Sequence, residues 1–293
     1  GRLFILPQNI GGGIGMEKKR MTTAILRQRK EAGVPLAMLT AYDYSMATLL
    51  DEAGVDMILV GDSLGNVVLG YDSTLPVTME DMIHHGKAVC RGVKQAFVVI
   101  DMPFLSYQIS PEDALGNAGR IMKETGAQAV KMEGGKEILP AVEKIISAGI
   151  PVVAHLGLTP QHVHQLGGFK VQGKETAAAQ RIFEDARLLE RAGVCAITLE
   201  CVPQQLAEKI SRTVKIPVIG IGAGAGCDGQ VLVIYDMLGI HTGFVPKFVR
   251  QFANLKEQIS RAVGAYKRAV QEKTFPAAEH SFQMSDEVLE KLY

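Results

Sequence analysis

The stretch RAGVCAITLE, residues 191–200, contains the unit that decides the fold. Gly193 follows helix-type sequence, a short apolar run comes next, and the acid Glu200 closes the run. Glycine is favoured where a helix ends in a left-handed residue, and a short apolar run without alternation is typical of a strand buried on both faces. The stretch therefore predicts a helix end, a buried parallel strand and a polar residue at the end of that strand.

The same unit recurs along the chain from about residue 36. Gly54, Gly126 and Gly149 also occupy predicted helix ends, and each is followed by a short run rich in Val and Ile. Seven strand candidates result, namely LAMLT, DMILV, QAFVVI, QAVKM, IPVVA, VCAITL and KIPVIGI. Amphipathic helices are predicted between them, at about 43–53, 78–91, 111–125, 136–148, 176–192 and 203–212. We expect the eighth strand within 238–248 (LGIHTGFVPKF) and a helix from about 254 to 273.

Strands that alternate with helices form a parallel sheet, which is either open and doubly wound or closed into a barrel. Closure is favoured because the unit recurs about eight times. In addition, polar residues follow nearly every strand instead of clustering at one switch point of the sheet. We therefore predict an α/β fold, a (β/α)8 TIM barrel, with 16–293 as one catalytic domain that ends in C-terminal helices. Residues 1–15, GRLFILPQNIGGGIG, are expected to be a tag, linker or disordered extension.

The overall composition limits the classes of ligand. The 293 residues are 47% hydrophobic, which allows one large core, and 31 Lys and Arg balance 31 Asp and Glu. A balanced chain has no electrostatic attraction to nucleic acid or to an anionic membrane, so small-molecule ligands are expected. The four cysteines form no CxxC pair, and no apolar run approaches the roughly 20 residues of a membrane span. These features predict a cytoplasmic protein.

Three acids end consecutive predicted strands: Asp62, Asp101 and Glu133. The carboxyl ends of barrel strands converge on one mouth, so these carboxylates should meet there. Carboxylates brought together repel unless one is protonated or a cation joins them, and oxygen ligands without His or Cys favour Mg2+. We interpret the three acids as a Mg2+ site. The competing interpretation is helix N-capping at strand-to-helix turns.

Three further residues are candidates for the chemistry. Lys131 lies two residues before Glu133, so both side chains point to the same side of the strand. A buried lysine needs an anionic neighbour, either in a structural ion pair or as a cation for a substrate carboxylate or developing enolate, and we favour the second. His155 ends the fifth strand, where hydrogen bonding is commoner than catalysis. Glu200 ends the sixth, and its apolar neighbours make it the favoured acid–base residue.

The glycine run GIGAGAG at 220–226 does not have the spacing of a dinucleotide-binding loop, and no strand-end acid follows it at the required distance. It predicts a tight turn at the barrel mouth.

Seven motifs occur in order over about residues 20–273: GDSLGNVVLGYDSTLPVTMEDM, DMPFLSY, KMEGG, AHLGLTPQ, LGGFKVQG, LECVP and IGIGAGAGCDGQVLV. Together, and in this order, they resemble the ketopantoate hydroxymethyltransferase family. Any one motif is a modest signal, whereas the ordered set is specific. The resemblance implies a TIM barrel of the phosphoenolpyruvate/pyruvate type.

The resemblance also implies an activity, namely transfer of a hydroxymethyl group from 5,10-methylenetetrahydrofolate to 3-methyl-2-oxobutanoate. The product would be 2-dehydropantoate, a precursor of pantothenate and coenzyme A, and the enzyme would be a homo-oligomer, a decamer in this family. One Mg2+ ion per subunit would be held by Asp62, Asp101 and Glu133. Substrate contacts carried over by motif are Asp62, Ser63, Asp101, Lys131 and His155, with Glu200 as the catalytic base.

Two alternatives stay open on the sequence. A related Mg2+-dependent 2-oxo acid lyase or mutase of the same superfamily usually carries a cysteine-bearing loop in mid-chain, but LGLTPQHVHQLGGFKVQG after His155 has no cysteine. A catalytically inactive scaffold barrel is the second alternative. The costly cluster of acids with Lys131 and Glu200 argues against it, because a scaffold does not need such a cluster.

Overall fold

The computed structural model describes residues 20–168, 170–240, 243 and 245–292. Its strands are β1 Leu36–Thr40, β2 Met57–Val60, β3 Phe97–Asp101, β4 Ala129–Glu133, β5 Val152–Gly157, β6 Ala196–Glu200, β7 Val218–Ile221 and β8 Gly229–Leu232. They form a closed barrel in the order β1 to β8, and the strand pairs with an assigned register are parallel. The predicted α/β barrel is confirmed.

Helices connect most of the strands. They are α1 Thr23–Glu31, α2 Tyr44–Glu52, α3 Leu64–Val67, α4 Met79–Gly92, α5 Pro111–Thr125, α6 Leu139–Ser147, α7 Val163–Leu166, α8 Thr176–Ala192, α9 Gln204–Thr213, α10 Ile234–Leu238, α11 Leu255–Gln271 and α12 Asp286–Leu289. Short 3-10 helices lie at Lys136–Ile138, Pro160–His162, Ala278–His280 and Glu290–Leu292. Among the described residues, no helix is long and apolar enough to cross a membrane.

The helix ends follow the local sequence. Helix α5 begins where the Ser110 side chain accepts a hydrogen bond from the Asp113 N–H, with Pro111 at the first position. It ends at Gly126, whose φ of 81° is left-handed, and Gly193 ends α8 in the same way with a φ of 98°. The glycines that marked these helix ends in the sequence therefore occupy the conformation that was predicted for them.

The interior of the barrel changes from apolar to charged along the strands. Apolar side chains, including Met57, Phe97, Val99 and Val153, form one buried cluster inside it. Because side chains on one face of a strand recur every second residue, the residues two positions after Val99 and Val153 also point inward. Those residues are Asp101 and His155, which puts polar groups directly above the apolar layer.

The eighth strand was predicted in the wrong place. It lies at Gly229–Leu232 and pairs with β7, with Gly229 opposite Ile219, and not within 238–248. Part of the predicted range, residues 241, 242 and 244, lies outside the described residues. Residues 222–228 alone connect β7 to β8 and contain no helix. The sequence signal used for the other strands, a helix that ends in glycine, is therefore missing before β8.

The glycine run forms this short connection. A Cβ added to Gly224, which has a φ of +82°, would lie 2.5 Å from the Cβ of Gln204 in α9. At Gly226 an added Cβ would lie 2.8 Å from the Cβ of Glu208 in the same helix. Glycine is needed because the connection passes close to α9, which explains the run without a nucleotide ligand.

The chain divides into two compact units, the first running to Val231 and the second starting at Leu232. The first unit contains β1–β7, most of β8 and α1–α9, and the second contains α10–α12. The predicted helix near 254–273 is confirmed as α11, which has no buried residue. The interpretation of 16–293 as one catalytic domain stays a prediction, and residues 1–15 lie outside the described part of the chain.

Candidate active site

Charged residues from β3 to β6 and from the turn after β2 meet inside the first unit. The five most buried are at most 4% exposed, so they interact mainly with one another and little with solvent. We call the following set the charged cluster: Asp62, Asp101, Lys131, Glu133, His155 and Glu200. Ser63, the remaining predicted site residue, follows Asp62 directly.

Charge contacts join four consecutive strands across the cluster. The Lys131 Nζ lies 2.8 Å from the Asp101 Oδ1 and 3.2 Å from the His155 Nδ1. The same imidazole nitrogen lies 3.4 Å from the Glu133 Oε1, and the His155 Nε2 lies 3.2 Å from the Glu200 Oε2. Within the described residues, the Asp101 Oδ1 and the His155 Nε2 form no well-directed hydrogen bond, so we interpret their contacts as ion pairs. The His155 imidazole therefore lies between the Lys131 ammonium and the Glu200 carboxyl.

Sequence reasoning missed Gln161, which joins two acids of the cluster. Its side-chain Nε2 donates hydrogen bonds to the Asp62 Oδ2 at 2.9 Å and to the Met102 carbonyl at 3.0 Å. Its backbone N–H donates to the Glu133 Oε2 at 3.0 Å. Gln161 ends the motif AHLGLTPQ, which is the only sequence signal that could have pointed to it.

Tyr107, the last residue of the motif DMPFLSY, was missed as well. Its hydroxyl donates to the Gln161 Oε1 at 2.7 Å and lies 3.1 Å from both the backbone N and the carbonyl O of Glu133. Burial, with the nearby Glu133 charge, raises the pKa of Tyr107 well above its usual value. The neutral phenol is therefore a fixed hydrogen-bonding group that holds Gln161 and Glu133 in place.

The predicted substrate contact Ser63 is held by a tyrosine. The Ser63 Oγ and the Tyr42 hydroxyl oxygen are 2.8 Å apart, and either can donate the hydrogen bond. The Tyr42 carbonyl oxygen in turn lies 2.6 Å from the His85 Nδ1. Ser63 thus has a defined orientation next to Asp62.

The carboxyls of Asp62 and Asp101 both have raised pKa values, chiefly because they are buried. Burial raises the pKa of Asp62 well above its usual value, and the Asp101 and Glu133 charges raise it further. Burial also raises the pKa of Asp101, although the Lys131 ammonium opposes the shift. The Asp62 backbone N–H donates to the Asp101 Oδ2 at 3.0 Å, so the two carboxyls are fixed side by side.

The other buried groups of the cluster are held in their charged forms. Burial alone would lower the pKa of Lys131, but the Asp101, Glu133 and Asp62 charges together raise it. Burial and the Lys131 charge would lower the pKa of His155, but its contacts with Glu133 and Glu200 outweigh them and raise it to about 9. Burial would raise the pKa of Glu133, yet His155 and Lys131 bring it below its usual value.

The donor chemistry of the cluster fits a hard divalent cation. Asp62 and Asp101 offer carboxylate oxygens, and a cation beside them would relieve the repulsion that raises the pKa of Asp62. Both Glu133 oxygens already have neighbours, His155 and the Gln161 N–H. Among the described residues, no three His, Cys, Asp or Glu side chains form a ready metal-binding group. The assignment of Asp62, Asp101 and Glu133 as one metal site stays a prediction.

Comparison with known proteins identifies the family. The sequence model of ketopantoate hydroxymethyltransferase matches residues 20–278. The chain belongs to the ketopantoate hydroxymethyltransferase family. It is therefore an enzyme, a transferase. Relatives with the name 3-methyl-2-oxobutanoate hydroxymethyltransferase include a protein of Syntrophomonas wolfei subsp. wolfei, 59% identical over 94% of this chain and 99% of the relative. Another, from Syntrophus aciditrophicus, is 60% identical over 90% of this chain and 97% of the relative.

Solved structures of similar fold come from more distant proteins. A phosphonopyruvate hydrolase superposes with a TM-score of 0.58 at 12% identity, covering 92% of this chain and 94% of that one. A 2,3-dimethylmalate lyase of the PEP mutase/isocitrate lyase superfamily gives 0.54 at 14% identity, with the same coverage. At such identities the likeness shows the fold alone, a (β/α)8 TIM barrel.

Proposed function

We propose that the enzyme transfers a hydroxymethyl group from 5,10-methylenetetrahydrofolate to 3-methyl-2-oxobutanoate and forms 2-dehydropantoate, a step of pantothenate and coenzyme A synthesis. Relatives about as long as this chain are named for the acceptor and the transferred group, which supports the choice of substrate. The structural observation that carries the proposal is the contact series from Lys131 through His155 to Glu200. The Lys131 ammonium and the Glu200 carboxyl thus lie on either side of one imidazole, which supports their proposed roles as cation and base.

The reaction requires loss of the C3 proton of the oxo acid, which leaves an enolate whose negative charge must be stabilised. The Lys131 ammonium is the buried cation for that oxygen, because its neighbouring carboxylates keep it protonated. Asp62 and Asp101, with Glu133 completing the site, would hold Mg2+, which when bound supplies positive charge to the carboxylate and keto oxygens of the substrate. Ser63 would contact the substrate beside Asp62.

Glu200 is the proposed base. Its side chain is 16% exposed, so it can pass the proton on to solvent, and His155 at 3.2 Å orients the carboxyl. The enolate carbon then forms a bond with the methylene carbon of the donor while the bond from that carbon to one donor nitrogen breaks, and water afterwards displaces the second nitrogen. Overall, water supplies the hydroxyl oxygen and tetrahydrofolate is released. Fixed positioning must provide much of the acceleration, because so small an acceptor offers little remote binding energy.

Further properties are proposed from the family resemblance. We propose a cytoplasmic enzyme with small-molecule ligands and no nucleic-acid or membrane partner. We also propose a homo-oligomer, a decamer, in which 16–293 of each chain forms one catalytic domain.

The test is a product assay on the purified protein. With 3-methyl-2-oxobutanoate and the folate donor together, 2-dehydropantoate should form, and omission of either should abolish it. Chelator should stop the reaction and added Mg2+ should restore it, and calorimetric titration should show weaker Mg2+ binding by Asp62→Asn than by the wild type. Product formed without the folate donor would overturn the choice of donor, and full turnover after thorough metal removal would overturn the Mg2+ assignment.

A further inference from the structure

A second concave region lies next to the charged cluster, within the first compact unit. It is a cleft of about 550 Å3 between the ends of β4 and β5 and helix α8. This volume lies in the range of small-molecule sites, about 300–1,000 Å3. Its lining includes the side chains of Leu156, Ala178, Arg181, Ile182 and Asp185, together with backbone at Gly134 and Gly157.

The cleft is adjacent to the catalytic strand ends. Gly134 directly follows Glu133, and Gly157 lies opposite Glu200 in the pairing of β5 with β6, so they are about 5 Å apart. Gly157 has a φ of +93°, and an added Cβ would lie 2.2 Å from the Glu200 carbonyl oxygen. Only glycine permits this approach. The Glu200 carbonyl and the Val202 side chain fill the space that a Gly157 side chain would need, so the cleft borders at Gly157 on the backbone of the residue that bears the proposed base.

The cleft is lined by more carboxylates than guanidinium or ammonium groups. Asp185 and Glu137 line it together with Arg181 and the imidazole of His162. The Asp185 Oδ1 accepts a hydrogen bond from the Lys136 N–H at 3.2 Å. Burial raises the pKa of Asp185, and the Glu137 charge adds to that shift although the Lys136 N–H opposes it. This setting disfavours phosphate and suits a neutral ligand that donates N–H bonds.

The walls add a requirement on shape. Leu156, Ala178 and Ile182 give the cleft apolar sides, while the carboxylate of Asp185 lies at its edge toward Gly135. A flat ring system with apolar faces and two adjacent N–H donors on one edge satisfies both requirements. The pteridine ring of a folate has this chemistry, because its 2-amino group and ring N–H lie side by side.

We propose that this cleft binds the pteridine ring of the one-carbon donor, with Asp185 accepting hydrogen bonds from the ring's amino edge. The inference rests on the proposed function, since it locates the donor of that reaction. A donor held here would have its one-carbon unit next to Gly157, on the side of Glu200. Asp185 is a binding residue in this proposal and takes no part in the proton transfer.

The first experiment compares Asp185→Asn with Glu184→Gln, an exposed acid of the same helix, in the full-length enzyme. Loss of a charged acceptor should raise the Kd for tetrahydrofolate, measured by calorimetry, and the KM for the donor by about tenfold or more. The KM for the oxo acid should not change. Exchange of the C3 proton without folate should also be unchanged, which a general disturbance of the site would not allow. Glu184→Gln should behave as wild type.

The second experiment fills the cleft without changing its charge. Ala178→Phe should weaken tetrahydrofolate binding as Asp185→Asn does, whereas Ala177→Phe, at an exposed position of α8 outside the cleft lining, should not. If the wild type binds tetrahydrofolate and both cleft variants bind it equally well, the cleft assignment is wrong and the proposed function survives. If the wild type neither binds tetrahydrofolate nor uses the donor, both are wrong.

Discussion

Replacement of Gln161 by methionine tests the hydrogen bonds of the side chain that joins Asp62 to the rest of the site. Methionine has a similar length, so the change leaves little cavity and removes mainly the amide. The side chain loses its bonds to the Asp62 carboxylate and the Met102 carbonyl, while the backbone N–H bond to Glu133 remains. The Tyr107 hydroxyl also loses a partner but keeps its contact with the Glu133 carbonyl.

The expected cost follows from these contacts. A hydrogen bond to a charged group contributes about 1.5–3 kcal/mol and a neutral one about 1 kcal/mol, so the free energy of unfolding should fall by about 2.5–4 kcal/mol. Tyr107 adds little because it keeps a partner. Turnover should fall as well, since Asp62 loses the group that orients it.

Urea unfolding followed by circular dichroism, at one protein concentration for all variants, measures the loss. Gln180→Met is the matched control, because that amide donates to the exposed Glu184, and it should stay within about 0.5 kcal/mol of wild type. In a double-mutant cycle, Gln161→Met and Tyr107→Phe should be coupled by at least about 0.5 kcal/mol. A loss for Gln161→Met of under about 1 kcal/mol would refute the assigned role.

Three further predictions concern the charged cluster and its surroundings. Glu200→Gln should slow exchange of the C3 proton of the oxo acid in D2O by about a hundredfold or more, with its Kd nearly unchanged, and exchange at the wild-type rate would exclude Glu200 as the base. Lys131→Met leaves Asp101 buried without its cation and should cost about 3–5 kcal/mol in urea unfolding, whereas a neutral outcome would show that the pair is dispensable. Gly157→Ala forces a Cβ against the Glu200 carbonyl and should cost more than about 1 kcal/mol with slower turnover; a fully active, equally stable variant would contradict the close approach.

Much of the fold could be predicted because the signals are local. A glycine such as Gly193 marks a helix end through its own backbone preference, and a run such as AITL marks a buried strand through its composition. Local signals do not identify β8, because the connection from β7 contains no helix and the strand sequence GQVL begins with glycine. Nothing local distinguishes that segment from a turn, because it becomes a strand only through its pairing with β7.

The candidate site also combines features that local sequence predicts with features that depend on the three-dimensional structure. Lys131 and Glu133 could be assigned to one face from their spacing, but the contact of Lys131 with Asp101 depends on the register between two strands. His155 was predicted chiefly as a hydrogen-bonding residue, and its position between Lys131, Glu133 and Glu200 emerges only in three dimensions. Gln161 could not be predicted from chemistry, since it reaches the acids from a 3-10 helix whose path depends on the whole barrel.

The contact series across β3 to β6 also bears on how faithfully the barrel assembles. Asp101 lies opposite Lys131, and Glu133 lies opposite His155, in the pairings of neighbouring strands. A slip of β4 by a single position would turn Lys131 and Glu133 away from the interior of the barrel. Asp101 and His155 would then be buried without these oppositely charged partners. Misaligned barrels are thus penalised by the same residues that the reaction needs, so selection for turnover also preserves accurate strand alignment during folding.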